Sequence, residues 1–189
     1  MRTAGFVLVG GRSTRMGQDK ALLPWRHGTL VETLAQQVLH AAGNVALVGN
    51  KDAYSAAHLD FLFDLRPGLG PLSGIEAALE SGRGELNLIV ACDLALVETE
   101  WLSALLEAAK ASQARCIIAQ DRDGQAHPLC GVYHSNCLPV VKNALDQRRL
   151  KLMEVVEELA AERFQISAPI WNVNTPEEWQ RCREIANGW

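Results

Sequence analysis

Two apolar runs without polar alternation, AGFVLV at 4–9 and NLIVACD at 87–93, constrain this chain more than any other feature. A strand apolar on both faces has to be covered on both faces, which is the situation inside a parallel sheet flanked by helices. Further segments keep the same rhythm. NVALVG at 44–49, HLDFLFD at 58–64 and RCIIAQ at 115–120 read as strands. Between them, Leu30, Val31, Leu34, Val38 and Leu39 recur at helical spacing up to Gly43, a natural helix stop. LSGIEAALESG at 72–82 and TEWLSALLEAAKAS at 99–112 read as helices. Alternating β and α segments predict a three-layer α/β/α fold with a mostly parallel, Rossmann-like sheet and right-handed crossovers.

The last third changes character. DRDGQAHP at 121–128 is turn-rich, and PLCGVYH at 128–134 reads as an added strand, the candidate antiparallel element. SNCLPVVKNALDQRR at 135–149 reads as a helix with Pro139 in its first turns. Near the end, Thr175, Pro176 and Glu178 have the spacing of a helix N-cap, first helical position and capping box. No internal repeat or low-complexity linker divides the chain, so one domain over 1–189 is expected.

The bulk numbers exclude several classes. A net charge of −4 and a pI of about 5.7 argue against a nucleic-acid partner. No apolar run approaches the roughly 18 residues of a membrane span, and MRTAGFVLVGG has neither the length nor the cleavage pattern of a signal peptide. A cytoplasmic location is expected. Cys92, Cys116, Cys130, Cys137 and Cys182 are odd in number and have no C-x-x-C spacing, so they read as buried apolar residues.

The chemistry concentrates in LVGGRSTRMGQDK at 8–20, which leaves the first strand at its carboxyl end. In open α/β sheets that is where ligands bind. Gly10 and Gly11 let main-chain N–H groups approach an anion, and Arg12, Arg15 and Lys20 add positive charge. Gly17 is followed by Gln18, which excludes a P-loop, and the G-x-G-x-x-G fingerprint is absent. Spacing alone leaves an anion cradle and a glycine turn with solvated arginines level. The same holds for Asp93 at the end of the second buried strand, which reads equally as a metal ligand or a turn cap. Asn172 and Asn174 flank Val173 in an extended segment and so share a side. His127 and His134 have no metal-like neighbours and read as structural.

The full string LVGGRSTRMGQDKALLPW resembles the L-A-G-G-x-x-x-R-M-G-x-D-K start of nucleotidyltransferases with a GT-A-like fold. GPLSG at 70–74, ACD at 91–93, HPLCGVY at 127–133 and WNVNTPEE at 171–178 follow in the order found in the molybdenum cofactor guanylyltransferase (MobA) family. The chain departs from that pattern at Val9, where alanine is usual, and at Leu94-Ala95, where Thr-Pro or Met-Pro usually follows the aspartate.

The resemblance implies a function and a site. GMP would pass from GTP to the phosphate of molybdopterin, giving the guanine dinucleotide cofactor and pyrophosphate. Arg15, Lys20 and Asp93 would be catalytic, with Asp93 holding Mg²⁺. Leu8, Val9, Gly10, Gly11, Lys20, Asn50, Asp64 and Asp93 would contact the nucleotide. Gly70, Gly74, Arg149, Asn172 and Asn174 would contact the pterin substrate, with asparagine standing where the superfamily commonly has a second metal carboxylate. Implied partners are GTP, molybdopterin, and the insertion proteins and apo-molybdoenzymes that receive the product. Alternatives are a cytidylyltransferase of the same pterin, a sugar-1-phosphate nucleotidylyltransferase, and a non-catalytic GTP-binding or pterin carrier protein.

Overall fold

The computed structural model describes residues 1–10, 19–49 and 59–187. In chain order the elements are β1 (Thr3–Leu8), a 3-10 turn (Lys20–Leu22), β2 (Pro24–Trp25), β3 (Gly28–Thr29), α1 (Leu30–Ala42), β4 (Ala46–Gly49), β5 (Asp60–Phe63) and α2 (Pro71–Glu80). There follow β6 (Leu86–Ala91), α3 (Thr99–Ala111), β7 (Cys116–Gln120), β8 (Ala126–His134), α4 (Leu138–Asp146), α5 (Leu152–Glu158), β9 (Glu162–Gln165) and α6 (Pro176–Asn187). Seven strands form one sheet in the order β5-β4-β1-β6-β8-β7-β9. β8 runs antiparallel to both neighbours, and the other pairings are parallel. The expected architecture, including the antiparallel element, is the one observed.

Strand periodicity explains the layers. In β1, Ala4, Phe6 and Leu8 face the core shared with α2, α4 and α5, while Val7 faces the core shared with α1 and α3. Leu88 and Val90 of β6 take the second face and Ile89 the first. Every residue of β6 is buried, as a strand covered on both faces requires. α1 starts at a reciprocal capping box between Thr29 and Glu32 and stops at Gly43 in the left-handed region. α6 has the anticipated box too: Glu178 N–H donates to Thr175 Oγ1 (3.2 Å), and Thr175 N–H donates to Glu178 Oε2 (3.0 Å). All five cysteines are free and buried. Among the described residues no helix is long and apolar enough to cross a membrane.

β8 is antiparallel because residues 121–125 form a tight turn, which can only join antiparallel neighbours. Asp121 organises that turn. Its Oδ1 accepts from Asp123 N–H (3.0 Å) and Gln125 N–H (2.9 Å), and its Oδ2 accepts from the buried His127 ring at 2.9 Å. His127 is thus structural, as its sequence context suggests. Burial pushes the Asp121 pKa up, but the His127 bond and the two amide bonds outweigh it, so the carboxyl lies below its ordinary value. Asp121→Ala should cost about 2–3 kcal/mol in urea unfolding at pH 7, because it strands a buried ring N–H and frees the turn. As pH falls, the unfolded chain takes up this proton first, near pH 4. The stabilisation is therefore complete above that pH and lost as pH drops through the lower folded-state value. The gap between wild type and Asp121→Ala should close over that acid range.

Candidate active site

The strand order reverses between β1 and β6: β1 continues outward to β4 and β5, and the chain then returns to β6 on the other side of β1. The strands stay paired to their carboxyl ends, and the connections that leave them run in opposite directions, which opens a crevice there. A cleft of about 750 Å³ lies at this point, within the range of small-molecule sites. Leu8, Val9 and Gly10 enter it from β1, Val48 from β4, and Ala91, Cys92 and Asp93 from β6. Asp64, Gly68, Gly70, Pro71 and Gly74 form the wall on the α2 side, and Lys20 and Leu129 complete it. Eight of the residues expected at the site thus line one cleft: Leu8, Val9, Gly10, Lys20, Asp64, Gly70, Gly74 and Asp93. Gly11, Arg15 and Asn50, and Arg12 of the same glycine loop, lie outside the described residues.

The glycines have definite tasks. Gly10 has φ +112° and Gly70 has φ +75°, conformations that residues with a Cβ rarely adopt. A Cβ on Gly74 would stand 3.2 Å from the Leu8 side chain and 3.5 Å from Asp64 Oδ1, so glycine keeps this wall open. Gly70 is also the N-cap of α2, whose first turn faces the cleft with its partial positive charge. Arg66 braces the preceding loop: its N–H donates to Ser73 Oγ (3.0 Å), and its guanidinium pairs with the buried Glu76 (3.1 Å) and with Asp146.

Main-chain bonding separates Val9 from Gly10. The Val9 N–H donates to Val48 O (2.8 Å) and is spent in the sheet, so Val9 contributes wall surface rather than a donor. This accounts for the tolerance of valine in place of alanine. The Gly10 N–H is directed at the Cys92 sulfur, a weak acceptor that an anionic oxygen would outcompete. Burial, and then the neighbouring Asp93 charge, push the Cys92 thiol up to about 12, so it stays protonated and is no nucleophile. Burial also raises the Asp64 pKa.

The polar centre joins three stretches of chain. Lys20 Nζ donates to Asp93 Oδ2 (2.9 Å), to Asn174 Oδ1 (3.2 Å) and to Val173 O (3.3 Å). Val173 N–H in turn donates to Asp93 O (2.8 Å), and Asn172 forms a bridge with Leu94. The departure at Leu94-Ala95 is therefore absorbed locally: both residues are buried, and Leu94 holds the Asn172 segment alongside Asp93. Trp25, which follows Lys20 in the β2–β3 hairpin, packs on Trp179 of α6 with ring centroids 4.9 Å apart, fixing the two segments that meet at Lys20.

Asn172 and Asn174 differ more than their shared spacing suggests. Asn174 bonds to Lys20, whereas Asn172 has a buried Oδ1 with no hydrogen-bond partner. Arg149 is not among the cleft residues. It closes α4, pairs with Glu158 (2.8 Å) and donates to Gln147 (3.0 Å). Leu129 was missed as a lining residue. The register of β8 against β7 jumps from Gly131 to His127, and Pro128 and Leu129 fall in that irregularity. A proline within a strand marks such a place, since it has no N–H for the ladder.

The sequence relatives agree with this geometry. Residues 5–163 match the family model described as "MobA-like NTP transferase domain". The chain is 34% identical to the molybdenum cofactor guanylyltransferase of Xanthomonas euvesicatoria pv. vesicatoria, over 94% of this chain and 92% of that one. It is 33% identical to a "probable molybdenum cofactor guanylyltransferase" of Carboxydothermus hydrogenoformans, over 95% and 94%. Its fold matches the crystal structure of molybdopterin-guanine dinucleotide biosynthesis protein A from Archaeoglobus fulgidus with a TM-score of 0.84, at 22% identity, over 98% of this chain and 100% of that one. The chain belongs to the MobA-like NTP transferase family.

Proposed function

We propose that the cleft binds GTP and that the chain transfers GMP to the terminal phosphate of molybdopterin, as a molybdenum cofactor guanylyltransferase. The observation that carries the reading is the meeting of Lys20 and Asp93 at the strand-order reversal, beside the Gly10 amide and the first turn of α2. The relatives named guanylyltransferases, which match nearly the whole chain, favour guanine and the pterin over other pairs.

In this reaction a phosphate oxygen of molybdopterin forms a new bond to the α-phosphorus of GTP. The bond from that phosphorus to the β-phosphate bridging oxygen breaks, and pyrophosphate leaves with the electron pair. The attacking group is already an anion, so no strong base is required. Catalysis then rests on alignment and on neutralising charge where it builds. Lys20 is a compact ammonium lining the cleft, suited to the phosphate chain and the departing pyrophosphate. The Gly10 N–H and the first turn of α2 supply further positive potential.

The residues fit Mg²⁺. Asp93 Oδ2, Asn174 Oδ1 and Val173 O converge on one point, an all-oxygen set of the type hard cations take, and the Asn172 Oδ1 is an orphaned buried acceptor in the same segment. Among the described residues there is no cluster of three His, Cys, Asp or Glu, so Asp93 would be the anionic protein ligand, with phosphate and water completing the shell. When bound, the ion would offset negative charge on the phosphates.

Isothermal titration with GTP, CTP, ATP and UTP, each with Mg²⁺, tests the reading. Selective GTP binding is expected. A preference for CTP would move the assignment to cytidylyl transfer on the same site, and no binding of any of the four would sink nucleotidyl transfer.

A further inference from the structure

The seat of Lys20 is made of oxygen. An ammonium has three N–H donors, and the Asp93 carboxylate, the Asn174 amide oxygen and the Val173 carbonyl take them at 2.9, 3.2 and 3.3 Å. Lys20 is 13% exposed and Asp93 22%, so water does not replace these contacts freely. The same three atoms are a donor set for a hard divalent cation. The seat is rigid, because Val173 N–H is tied to Asp93 O and Asn172 to Leu94. Lys20 comes from elsewhere, the 3-10 turn after the glycine loop, on a flexible four-carbon stem.

We infer that Lys20 is the resident cation of this seat in the nucleotide-free protein, and that the ammonium and a divalent ion exclude one another there. The inference rests on the nucleotidyl-transfer reading for its consequence, an order of loading. Phosphates of an incoming nucleotide offer Lys20 better acceptors and draw it out of the seat. Only then are the three oxygens free for the ion. Metal without nucleotide meets a site that already carries its positive charge and is refused. Lys20 thus has two partners in sequence, the seat before loading and the phosphates after it.

The test uses Mn²⁺ as probe, read as free Mn²⁺ by electron paramagnetic resonance, on the full chain without nucleotide. Lys20→Met should bind Mn²⁺ at least about tenfold more tightly than wild type, since removing a like charge a few ångströms away lifts a repulsion. Asp93→Asn added to Lys20→Met should abolish the gain. Lys20→Gln, which leaves a polar head in the seat, replaces Lys20→Met if that variant loses its circular dichroism spectrum. Equal Mn²⁺ affinity in wild type and the folded Lys20 variant overturns the inference, as does a gain that survives Asp93→Asn. Parallel GTP titration of wild type separates the two ideas. GTP binding with no Mn²⁺ gain removes the exchange and leaves guanylyl transfer standing. A Mn²⁺ gain with no GTP binding keeps the seat and removes the nucleotide reading.

Discussion

Asp93→Ala is expected to lower turnover by about a thousandfold or more with the fold intact, because on the proposed reading it removes the carboxylate that would hold the divalent ion where phosphate charge must be neutralised. The two halves of that expectation have different sizes. The Lys20–Asp93 pair is largely shielded, but without the carboxylate Lys20 keeps Asn174 Oδ1 and Val173 O as acceptors and its flexible stem can carry the ammonium to water, so the loss of stability should be about 1–2 kcal/mol. The main-chain link from Val173 N–H to Asp93 O (2.8 Å) does not involve the side chain and survives the substitution. The urea midpoint of the variant should therefore fall only slightly, while pyrophosphate release from GTP and molybdopterin collapses. Turnover within tenfold of wild type would remove Asp93 from the metal role. A large fall in the urea midpoint would make Asp93 a structural residue instead.

How much of this was legible in the sequence follows from what each signal is made of. β1 and β6 were readable because a strand covered on both faces has no polar alternation, and six consecutive buried residues in β6 leave the same trace in sequence and structure. β9 was not readable. Phe164 is the single apolar residue in Glu162–Gln165, and the strand is held by pairing with β7 rather than by a buried face of its own. The β2–β3 hairpin has two residues per strand, too few for any period. α5 did carry Leu152, Val155, Val156 and Leu159 at helical spacing, but it is seven residues long and its N-cap Lys151 makes no side-chain cap, so no boundary signal framed it.

The site divides in the same way. Gly10, Lys20 and Asp93 stand at positions that strand ends and a glycine loop mark out. The contact between Lys20 and Asp93 spans 73 residues and is a fact of tertiary packing. The Val173 carbonyl could not have been named at all, because a main-chain acceptor is present at every residue and only geometry selects one. Arg149 illustrates the converse. Its charge is visible in the sequence, but the Glu158 that takes it up is not. An arginine pair at a helix end reads the same whether it awaits an anionic substrate or already has a partner.

Lys20→Ala is the second large effect, and Lys20→Arg sharpens it. Losing one charge-assisted contact to phosphate costs about 1.5–3 kcal/mol, which weakens GTP binding by roughly 10- to 150-fold. A further loss in kcat is expected because Lys20 would also meet the charge that grows on the leaving pyrophosphate, and contacts that strengthen in the transition state appear in kcat rather than in KM. Arginine keeps the charge but should not rescue. Lys20 meets the phosphates as a point-like ammonium on a flexible stem that can follow the departing pyrophosphate, whereas a guanidinium is planar, spreads its donors over a fixed fork and is larger than the seat it must occupy before nucleotide arrives. Steady-state kinetics should then place Lys20→Arg within about tenfold of Lys20→Ala in kcat/KM. If arginine restored turnover to near the wild-type value, net positive charge near the phosphates would be the whole requirement. The compact shape and mobility of the ammonium would then have no part in the chemistry.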